Sequence, residues 1–230
     1  MTRYALIAAG GSGSRMGVNQ PKQFLQVAGK TMLEHTLSAF TEAYEDICFV
    51  IVLPASWMHL EKEIKKMAGV SASVIITTGG ETRFHSVQNG LNSISEEEDG
   101  TLVFVHDAAR CLVSPELIRV CGNAAEQYGS AIPAAEIHDS LRLINEEGTG
   151  STPLERSRVK AVQTPQTFQL GILKKAFQQE YQPAFTDEAT VAEAAGFTVH
   201  LVPGEAGNIK VTTLTDLMIT EQILANKKRR

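Results

Sequence analysis

A cluster of glycines and cations near the start of the chain contains the residue types that phosphate binding requires. Residues 8–17 read AAGGSGSRMG, and Pro21-Lys22 follows a few positions later. Glycine lets backbone N–H groups approach phosphate oxygens without a Cβ in the way, and Arg15 and Lys22 can meet those oxygens with positive charge. The segment therefore predicts a cationic phosphate cradle. The turn of this cradle would be formed by Gly10, Gly11 and Gly13.

Two common nucleotide-binding motifs do not match this segment. The P-loop has the pattern GxxxxGK[ST], and no Lys-Ser or Lys-Thr follows Gly13 at that spacing. A dinucleotide-binding fold has GxGxxG at the start of a helix and an acidic residue after the second strand, whereas the second predicted strand ends in Leu53-Pro54. A P-loop enzyme and an NAD-dependent oxidoreductase are therefore both disfavoured.

The elements that must position this turn are predicted from hydrophobic periodicity. Strands are predicted over Tyr4–Ala8, Cys48–Leu53, Val74–Thr77, Leu102–His106, Ala131–Ala135 and Thr198–Val202. Helices are predicted over Thr31–Ala43, Trp57–Met67, Thr82–Ile94, Pro115–Tyr128 and Thr215–Ala225. Near-continuous apolar strands such as CFVIVL indicate burial on both faces. The expected fold is α/β, a three-layer sandwich with a mostly parallel, Rossmann-like sheet.

The segment 136–158 departs from this alternation of strands and helices. HDSLRLI is followed by the polar turn NEEGTGST and then by PLERSRV, which predicts a protruding β-arm. Such an arm fits a substrate lid, an oligomerisation element or a solvated surface hairpin, and the residues alone leave these alternatives open. No repeat or linker interrupts the chain, so residues 1–230 are expected to form a single domain.

The composition restricts the class of protein further. The 230 residues carry a formal net charge of −5, so the chain lacks the general positive charge with which proteins attract nucleic acid. The three cysteines form no CxxC pair, and the six histidines form no HExxH motif or Cys/His cluster. The N-terminal apolar run is too short for a signal peptide or a membrane span, so a cytoplasmic location is expected.

Eight short motifs follow one another along the chain: AAGGSGSRM, PKQ, GGETRFHSV, VHDAAR, HDS, AVQTPQTF, FTDEA and GNIKVT. In this order they resemble the nucleotidyltransferases, and most closely the 2-C-methyl-D-erythritol 4-phosphate cytidylyltransferase family. The resemblance implies a nucleotidyltransferase sheet, transfer of CMP from CTP to the polyol phosphate, and release of pyrophosphate. It also implies Mg²⁺ as cofactor and a homodimer whose arm completes the neighbouring subunit's substrate site.

Three other functions remain as alternatives at this stage. A ribitol 5-phosphate cytidylyltransferase has overlapping motifs and is the nearest of them. An NAD-dependent oxidoreductase and a CTP-binding module without catalysis come from other classes. Retention of NAD on purification would support the oxidoreductase, and CTP binding without pyrophosphate release would support the binding module.

The resemblance also implies roles for individual residues. Arg15, Lys22 and Lys210 would act as cations on the reacting α-phosphate. Asp107 would hold Mg²⁺ with a hard carboxylate oxygen, although an aspartate at a strand end is often a helix cap. The nucleotide would be bound by Ala8, Ala9, Gly10, Gly11, Gly13, Gly80, Glu81, Ser86 and Ala108. The polyol phosphate would be bound by Arg110, Asp139, Ser140, Arg156, Thr164 and Thr186.

A few positions fall outside these implied roles. Asp187 and Glu188 are expected to cap the helix that follows them and to take no part in catalysis. Ala8 and Cys111 stand where the family commonly has proline, and Ser140 stands where it commonly has threonine. Serine keeps the hydroxyl, and none of the three changes removes a charged group.

Overall fold

Helices and strands alternate through the part of the chain that the computed structural model describes, which is residues 1–10, 21–69, 73–95 and 100–227. The strands are β1 (Arg3–Ala8), β2 (Gln26–Val27), β3 (Lys30–Thr31), β4 (Cys48–Leu53), β5 (Val74–Thr78), β6 (Leu102–Asp107), β7 (Ser130–Glu136), β8 (Arg142–Ile144), β9 (Ser151–Pro153), β10 (Lys160–Val162), β11 (Gln166–Gln169) and β12 (Leu201–Pro203). The helices are α1 (Met32–Ala43), α2 (Glu61–Ala68), α3 (Arg83–Asn92), α4 (Pro115–Tyr128), α5 (Leu170–Ala176), α6 (Glu188–Ala194) and α7 (Leu214–Lys227).

The central sheet has eight strands in the order β10-β7-β11-β6-β1-β4-β5, with β12 beside β7. β1 runs parallel to both β4 and β6, and β4 runs parallel to β5. β11 is antiparallel to both of its neighbours, and β10 is antiparallel to β7. The prediction of a mostly parallel sheet is confirmed. The carboxyl ends of β1, β4, β5 and β6 meet at one edge, where ligands bind in sheets of this kind.

Side chains of the central strands alternate between two hydrophobic layers. In β1, Ala5 and Ile7 belong to the layer that also contains buried residues of α1, α2 and α4. Tyr4 and Leu6 belong to the opposite layer, with residues of α3, α5 and α6. Because both faces of the strand are buried, its apolar residues follow one another without interruption. The predicted three-layer sandwich is confirmed.

The segment 160–194 contains three elements that the sequence does not predict, β10, β11 and α5, and a fourth, α6, which it anticipates without bounds as the helix that follows Asp187. β11 reads QTFQ, and Phe168 is its one large apolar side chain, so its burial leaves no periodic pattern. β10 has three residues, and α5 and α6 have seven each. Elements of this length give too few repeats for hydrophobic periodicity to identify them.

Most predicted elements agree with the structure to within two residues at each end, and two begin further than that from the expected residue. The helix predicted over Trp57–Met67 begins as a 3-10 helix over Ala55–Leu60 and continues as α2. The strand predicted over Thr198–Val202 begins at Leu201. The hydroxyl of Ser130 explains the second difference, because it donates to the carbonyl of Thr198 at 3.3 Å and accepts from the N–H of His200 at 3.2 Å. The Ser130 side chain thus forms hydrogen bonds with a carbonyl and an N–H that a longer β12 would pair with a neighbouring strand.

The start of α1 is fixed by a reciprocal pair of hydrogen bonds. The hydroxyl of Thr31 accepts from the N–H of Glu34 at 3.1 Å, and the Glu34 carboxylate accepts from the N–H of Thr31 at 2.6 Å. Both bonds satisfy N–H groups that a helix start leaves without partners. We expect Thr31→Ala to lower the free energy of unfolding by about 1 kcal/mol in a urea titration, and Thr31→Ser to lower it by less. Equal losses in the two variants would contradict a capping role.

The predicted arm is a β-hairpin in which β8 pairs with β9 in antiparallel register. Leu143 and Ile144 on this hairpin are 58% and 60% exposed. Among the described residues, no helix is both long enough and apolar enough to cross a membrane.

Candidate active site

A cleft of about 330 Å³ lies at the carboxyl ends of β1, β5 and β6. Its lining comes from the loops that follow these strands, from the start of α3 and from the segment before α7. Many of the predicted site residues line it, namely Ala8, Gly10, Lys22, Gly80, Glu81, Ser86, Asp107, Ala108 and Lys210. The cleft also has four lining residues that were not predicted, which are Gln23, Thr82, Arg83 and Ala109. Three predicted residues, Gly11, Gly13 and Arg15, lie outside the described residues.

The ends of β1 and β6 form the floor of the cleft. Ala8 and Asp107 are register partners, and the N–H of Ala108 donates to the carbonyl of Ala8 at 3.2 Å. Ala9 is buried rather than exposed to the cleft, and its carbonyl accepts from the side-chain amide of Gln23. The chain that enters the glycine-rich segment is therefore held from both sides.

Three of the predicted nucleotide-binding residues, Gly80, Glu81 and Ser86, lie together around the start of α3. The Ser86 hydroxyl accepts from the N–H of Gly80 at 3.1 Å and donates to the carbonyl of Thr82 at 2.9 Å. Thr82 caps the helix by accepting from the N–H of His85 at 3.3 Å. Ser86 thus shapes the loop that contains Gly80, and its contact with the nucleotide remains a prediction.

Gly80 is in close contact with α3. A Cβ atom at this position would lie 2.4 Å from the Cβ of His85 and 3.2 Å from its carbonyl carbon, so the loop would have to move away from the helix. Overpacking of this kind costs about 1–3 kcal/mol. We therefore expect Gly80→Ala to raise the KM for CTP by about tenfold, with a smaller effect on kcat.

Gly171→Ala is the matched control for this substitution. A Cβ at Gly171 would meet nothing within 4 Å, because this glycine lies in open space on α5. We expect its KM for CTP to equal that of the unmodified chain in steady-state assays. A Gly80→Ala variant with an unchanged KM would show that the nucleotide does not depend on this loop.

Lys210 and Lys22 bring two cations to the cleft from distant parts of the chain. The Nζ atom of Lys210 lies 2.6 Å from Oδ2 of Asp107, and Nζ of Lys22 donates to the carbonyl of Val211 at 3.1 Å. Val211 is fully buried, and its N–H donates to the carbonyl of Ala109 at 2.8 Å. This anchor fixes the segment that presents Lys210 beside the end of β6.

Asp107 is ionised and faces two cations. Its Oδ1 accepts from Nε and Nη2 of Arg83 at 3.4 and 3.3 Å, and its Oδ2 contacts Lys210. Burial would raise the pKa of Asp107, but the charges of Arg83 and Lys210 hold that pKa well below its usual range. The carboxylate is therefore negatively charged at any pH at which the protein works.

A chain of buried hydrogen bonds supports the backbone of Asp107. The Thr164 hydroxyl accepts from the N–H of Asp107 at 3.1 Å and lies 3.1 Å from Nδ1 of His106, while Nε2 of His106 lies 3.2 Å from the carbonyl of Arg110. Since a carbonyl can only accept, Nε2 carries the proton and Nδ1 accepts from Thr164. Burial lowers the pKa of His106 to about 4, so the ring is neutral. Thr164, predicted as a phosphate ligand, is thus 5% exposed behind Asp107.

Four other predicted substrate residues, Asp139, Ser140, Arg156 and Thr186, do not line this cleft. Asp139 and Ser140 are exposed at the base of the arm, and Arg156 donates from Nη1 to the carbonyl of His138 at 2.6 Å. Thr186 is exposed just before α6. Their roles in binding the polyol phosphate stay predictions.

Arg110 lies beside the cleft and supports the segment that leads to Lys210. Its Nη1 donates to the carbonyl of Asn208 at 2.8 Å. Asn208 is fully buried and donates from its side-chain amide to the carbonyl of Thr164 at 2.9 Å. The contact of Arg110 with substrate is also a prediction.

Asp187 and Glu188 have different environments, although the sequence suggested one role for both. Asp187 is the N-cap of α6 and accepts from the N–H of Thr190 at 2.9 Å, as predicted. Glu188 is completely buried and makes an ion pair with Arg83, so it is not merely a capping residue. Arg83 and Glu188 both lie within motifs singled out in the sequence, GGETRFHSV and FTDEA. Their opposite charges within these motifs are the feature of the sequence from which they could have been identified as site residues.

The donor set fits a magnesium ion that arrives with the nucleotide. Across the described ranges, no group of three or more His, Cys, Asp or Glu side chains comes together to hold a metal ion. Mg²⁺ is usually held by one or two carboxylates together with substrate phosphates and water. Asp107, charged and at the cleft wall, matches that pattern as a single protein ligand.

Comparison with known proteins agrees with this arrangement. The IspD family model, described as 2-C-methyl-D-erythritol 4-phosphate cytidylyltransferase, matches residues 4–226. A protein of that name from Bacteroides thetaiotaomicron is 42% identical over 224 residues, covering 97% of this chain and 100% of the relative. Another from Rubrobacter xylanophilus is 42% identical and covers 98% of this chain and 96% of the relative.

Solved structures show the same fold over nearly the whole length. The 4-diphosphocytidyl-2C-methyl-D-erythritol synthase from Anaerococcus prevotii has a TM-score of 0.82 at 26% identity and covers 97% of this chain and 98% of that one. The 2-C-methyl-D-erythritol 4-phosphate cytidylyltransferase from Thermus thermophilus has a TM-score of 0.75 at 31% identity and covers 98% and 100%. This chain therefore belongs to the 2-C-methyl-D-erythritol 4-phosphate cytidylyltransferase family.

Proposed function

We propose that this chain transfers CMP from CTP to 2-C-methyl-D-erythritol 4-phosphate, which gives 4-diphosphocytidyl-2-C-methyl-D-erythritol and pyrophosphate in the non-mevalonate route to isoprenoids. The observation that carries the proposal is the cleft at the carboxyl ends of the strands, which Lys22 and Lys210 both line and in which Lys210 contacts Asp107. The relatives reported above have this acceptor in their names, which favours it over ribitol 5-phosphate.

The reaction is a displacement at phosphorus. A phosphate oxygen of the acceptor attacks the α-phosphorus of CTP, a new P–O bond forms, and the bond from this phosphorus to the bridging oxygen of the β-phosphate breaks. Pyrophosphate leaves with that oxygen and its electron pair. A phosphate dianion is already a nucleophile, so no general base is needed.

The protein must therefore bring two polyanions together and stabilise negative charge on the α-phosphate. Preorganised cations in a partly enclosed cleft do this most effectively. Lys210, Lys22 and Arg15 are the residues to which we assign this role. Lys210 starts from its contact with Asp107, which keeps its ammonium group at the cleft wall before substrate binds.

We assign the magnesium ligand to Asp107. When bound, Mg²⁺ neutralises charge on the nucleotide phosphates. The Asp107 carboxylate is held in its charged form and has one oxygen directed to Arg83 and one to Lys210. Lys210 can leave Oδ2 for the substrate phosphate while Arg83 keeps its contact with Oδ1.

The arm supports a homodimeric assembly. Leu143 and Ile144 expose large apolar side chains on the hairpin, and their burial against a second subunit would be favourable. In such a dimer, Asp139, Ser140 and Arg156 would approach the cleft of the neighbouring subunit. We expect the enzyme to act in the cytoplasm.

The direct test is pyrophosphate release by the purified protein with CTP and Mg²⁺, with 2-C-methyl-D-erythritol 4-phosphate compared with ribitol 5-phosphate. We expect release with the first acceptor and little with the second, and loss of activity on chelation with recovery when Mg²⁺ is restored. Preference for ribitol 5-phosphate would overturn the acceptor. If neither acceptor gives pyrophosphate release while CTP still binds, the catalytic role is refuted.

A further inference from the structure

The guanidinium group of Arg83 lies between two carboxylates at the wall of the cleft. Its Nε and Nη2 atoms donate to Oδ1 of Asp107 at 3.4 and 3.3 Å. On the other side, Nη2 donates to Oε2 of Glu188 at 3.0 Å, and Nη1 contacts Oε1 of the same carboxylate. The planar group therefore joins the first residue of α3, the end of β6 and the first residue of α6.

The carboxylate of Glu188 is a charged group that is completely buried in the fold. Its side chain has no exposed surface, and a carboxylate in such a place is costly unless it is paired and hydrogen-bonded. Its position is fixed by Gln166, which donates to Oδ2 of Asp187 at 2.9 Å and accepts from the N–H of Ala189 at 2.8 Å. The backbone at the start of α6 thus cannot move away from Arg83 without breaking these bonds.

This arrangement determines how Asp107 presents its two oxygens. Oδ1 faces Arg83, and Oδ2 faces Lys210 at 2.6 Å. Without the guanidinium group, the ammonium of Lys210 would be the remaining cation in contact, among the residues described here, and the carboxylate could rotate to engage it with both oxygens. Lys210 would then leave Asp107 for the substrate less readily.

We propose that Arg83, anchored by the buried carboxylate of Glu188, is a positioning residue for Asp107. It keeps Oδ1 of Asp107 in a hydrogen bond, so that Oδ2 is the oxygen that contacts Lys210 and can exchange Lys210 for the incoming substrate complex. This inference rests on the proposed function, because the step it serves is delivery of Lys210 to the α-phosphate. The alternative is an ion pair that only ties α3 to α6.

The double variant R83Q/E188Q separates the two possibilities. It replaces a buried ion pair by two neutral amides of similar length, so it removes the buried charge together with its partner and limits the loss of stability. We expect a kcat about 10–100-fold below that of the unmodified chain, as is typical when a group that orients a ligand is lost. The KM for CTP should stay within about threefold, because Asp107 is retained and the hydrogen bonds of Gly80 and Ser86 do not involve the side chains of Arg83 and Glu188.

The matched control is R3Q. Arg3 also lies between two carboxylates, those of Asp46 at 3.8 Å and Glu126 at 3.5 Å, and its side chain is 21% exposed against 28% for Arg83. It begins β1 at the end opposite the cleft. We expect unchanged kcat in R3Q.

The outcomes are distinct. A kcat of R83Q/E188Q within threefold of the unmodified chain would overturn the positioning role. If that variant fails to fold by circular dichroism, the single variant E188Q is tested instead, since Arg83 then keeps Asp107 but has a neutral amide in place of its charged anchor. In that case a kcat lowered by about 3–10-fold at constant KM supports the proposal, and an unchanged kcat overturns it. Inactivity of the unmodified chain with CTP and 2-C-methyl-D-erythritol 4-phosphate would instead refute the proposed function.

Discussion

Lys210→Ala is expected to lower kcat by about 10²–10³-fold, which is the usual effect of removing one preorganised group that stabilises transition-state charge. The ammonium group reaches the cleft from the segment anchored by Val211, and alanine leaves the developing charge on the α-phosphate without it. Steady-state pyrophosphate release measures the effect, and Lys22→Ala should behave in the same way.

Stability should change little in Lys210→Ala, because Asp107 keeps its contact with Arg83 when Lys210 is removed. Lys65→Ala is a suitable control, since Lys65 also lies 2.6 Å from a carboxylate, that of Glu61, but on the surface of α2. Rates near those of the unmodified chain in both Lys210→Ala and Lys22→Ala would refute the assigned cations.

Asp107→Asn is expected to lower kcat/KM by at least about 100-fold at a fixed Mg²⁺ concentration. The neutral amide is a poorer ligand for a hard cation, and it leaves Arg83 and Lys210 without the carboxylate they share. Activity should recover in part as Mg²⁺ is raised. A variant with an unchanged Mg²⁺ titration would show that Asp107 does not hold the metal.

The same variant has a predictable effect on stability at different pH values. The pKa of Asp107 is lower in the folded chain than in the unfolded one, because Arg83 and Lys210 offset its burial. Its charge therefore stabilises the fold above the unfolded pKa of about 3.9, and this contribution is lost as the pH falls below that value. The difference in unfolding free energy between the unmodified chain and Asp107→Asn should thus be constant near neutral pH and shrink in acid.

The sequence predicts an element well where its periodicity and its end signals agree. The helix α4 has the predicted bounds, Pro115–Tyr128, because Ser114 caps its start, proline occupies the first position, and Gly129 with a φ of +82° ends it. β4 has the predicted bounds because all but one of its residues are fully buried.

The sequence predicts less well what depends on distant partners. Arg83 and Glu188 are 105 residues apart, and neither has a local signal that it will meet the other. Thr164 reads as a free hydroxyl donor in its motif, yet the fold places it behind Asp107, where its hydroxyl donates a hydrogen bond to Nδ1 of His106. Motifs identified the loops that surround the cleft, whereas only the packed chain shows which side chains face substrate and which hold others in place.

The neutral ring of His106 has a consequence for how the enzyme responds to acidity. With a pKa of about 4, it adds no proton-dependent charge beside the cleft between about pH 5 and 9. A phosphate monoester such as the acceptor loses its second proton near pH 6. Of these two groups, the acceptor is therefore the one expected to contribute an acid limb to the rate profile, and that limb should shift when an acceptor analogue of different acidity is supplied.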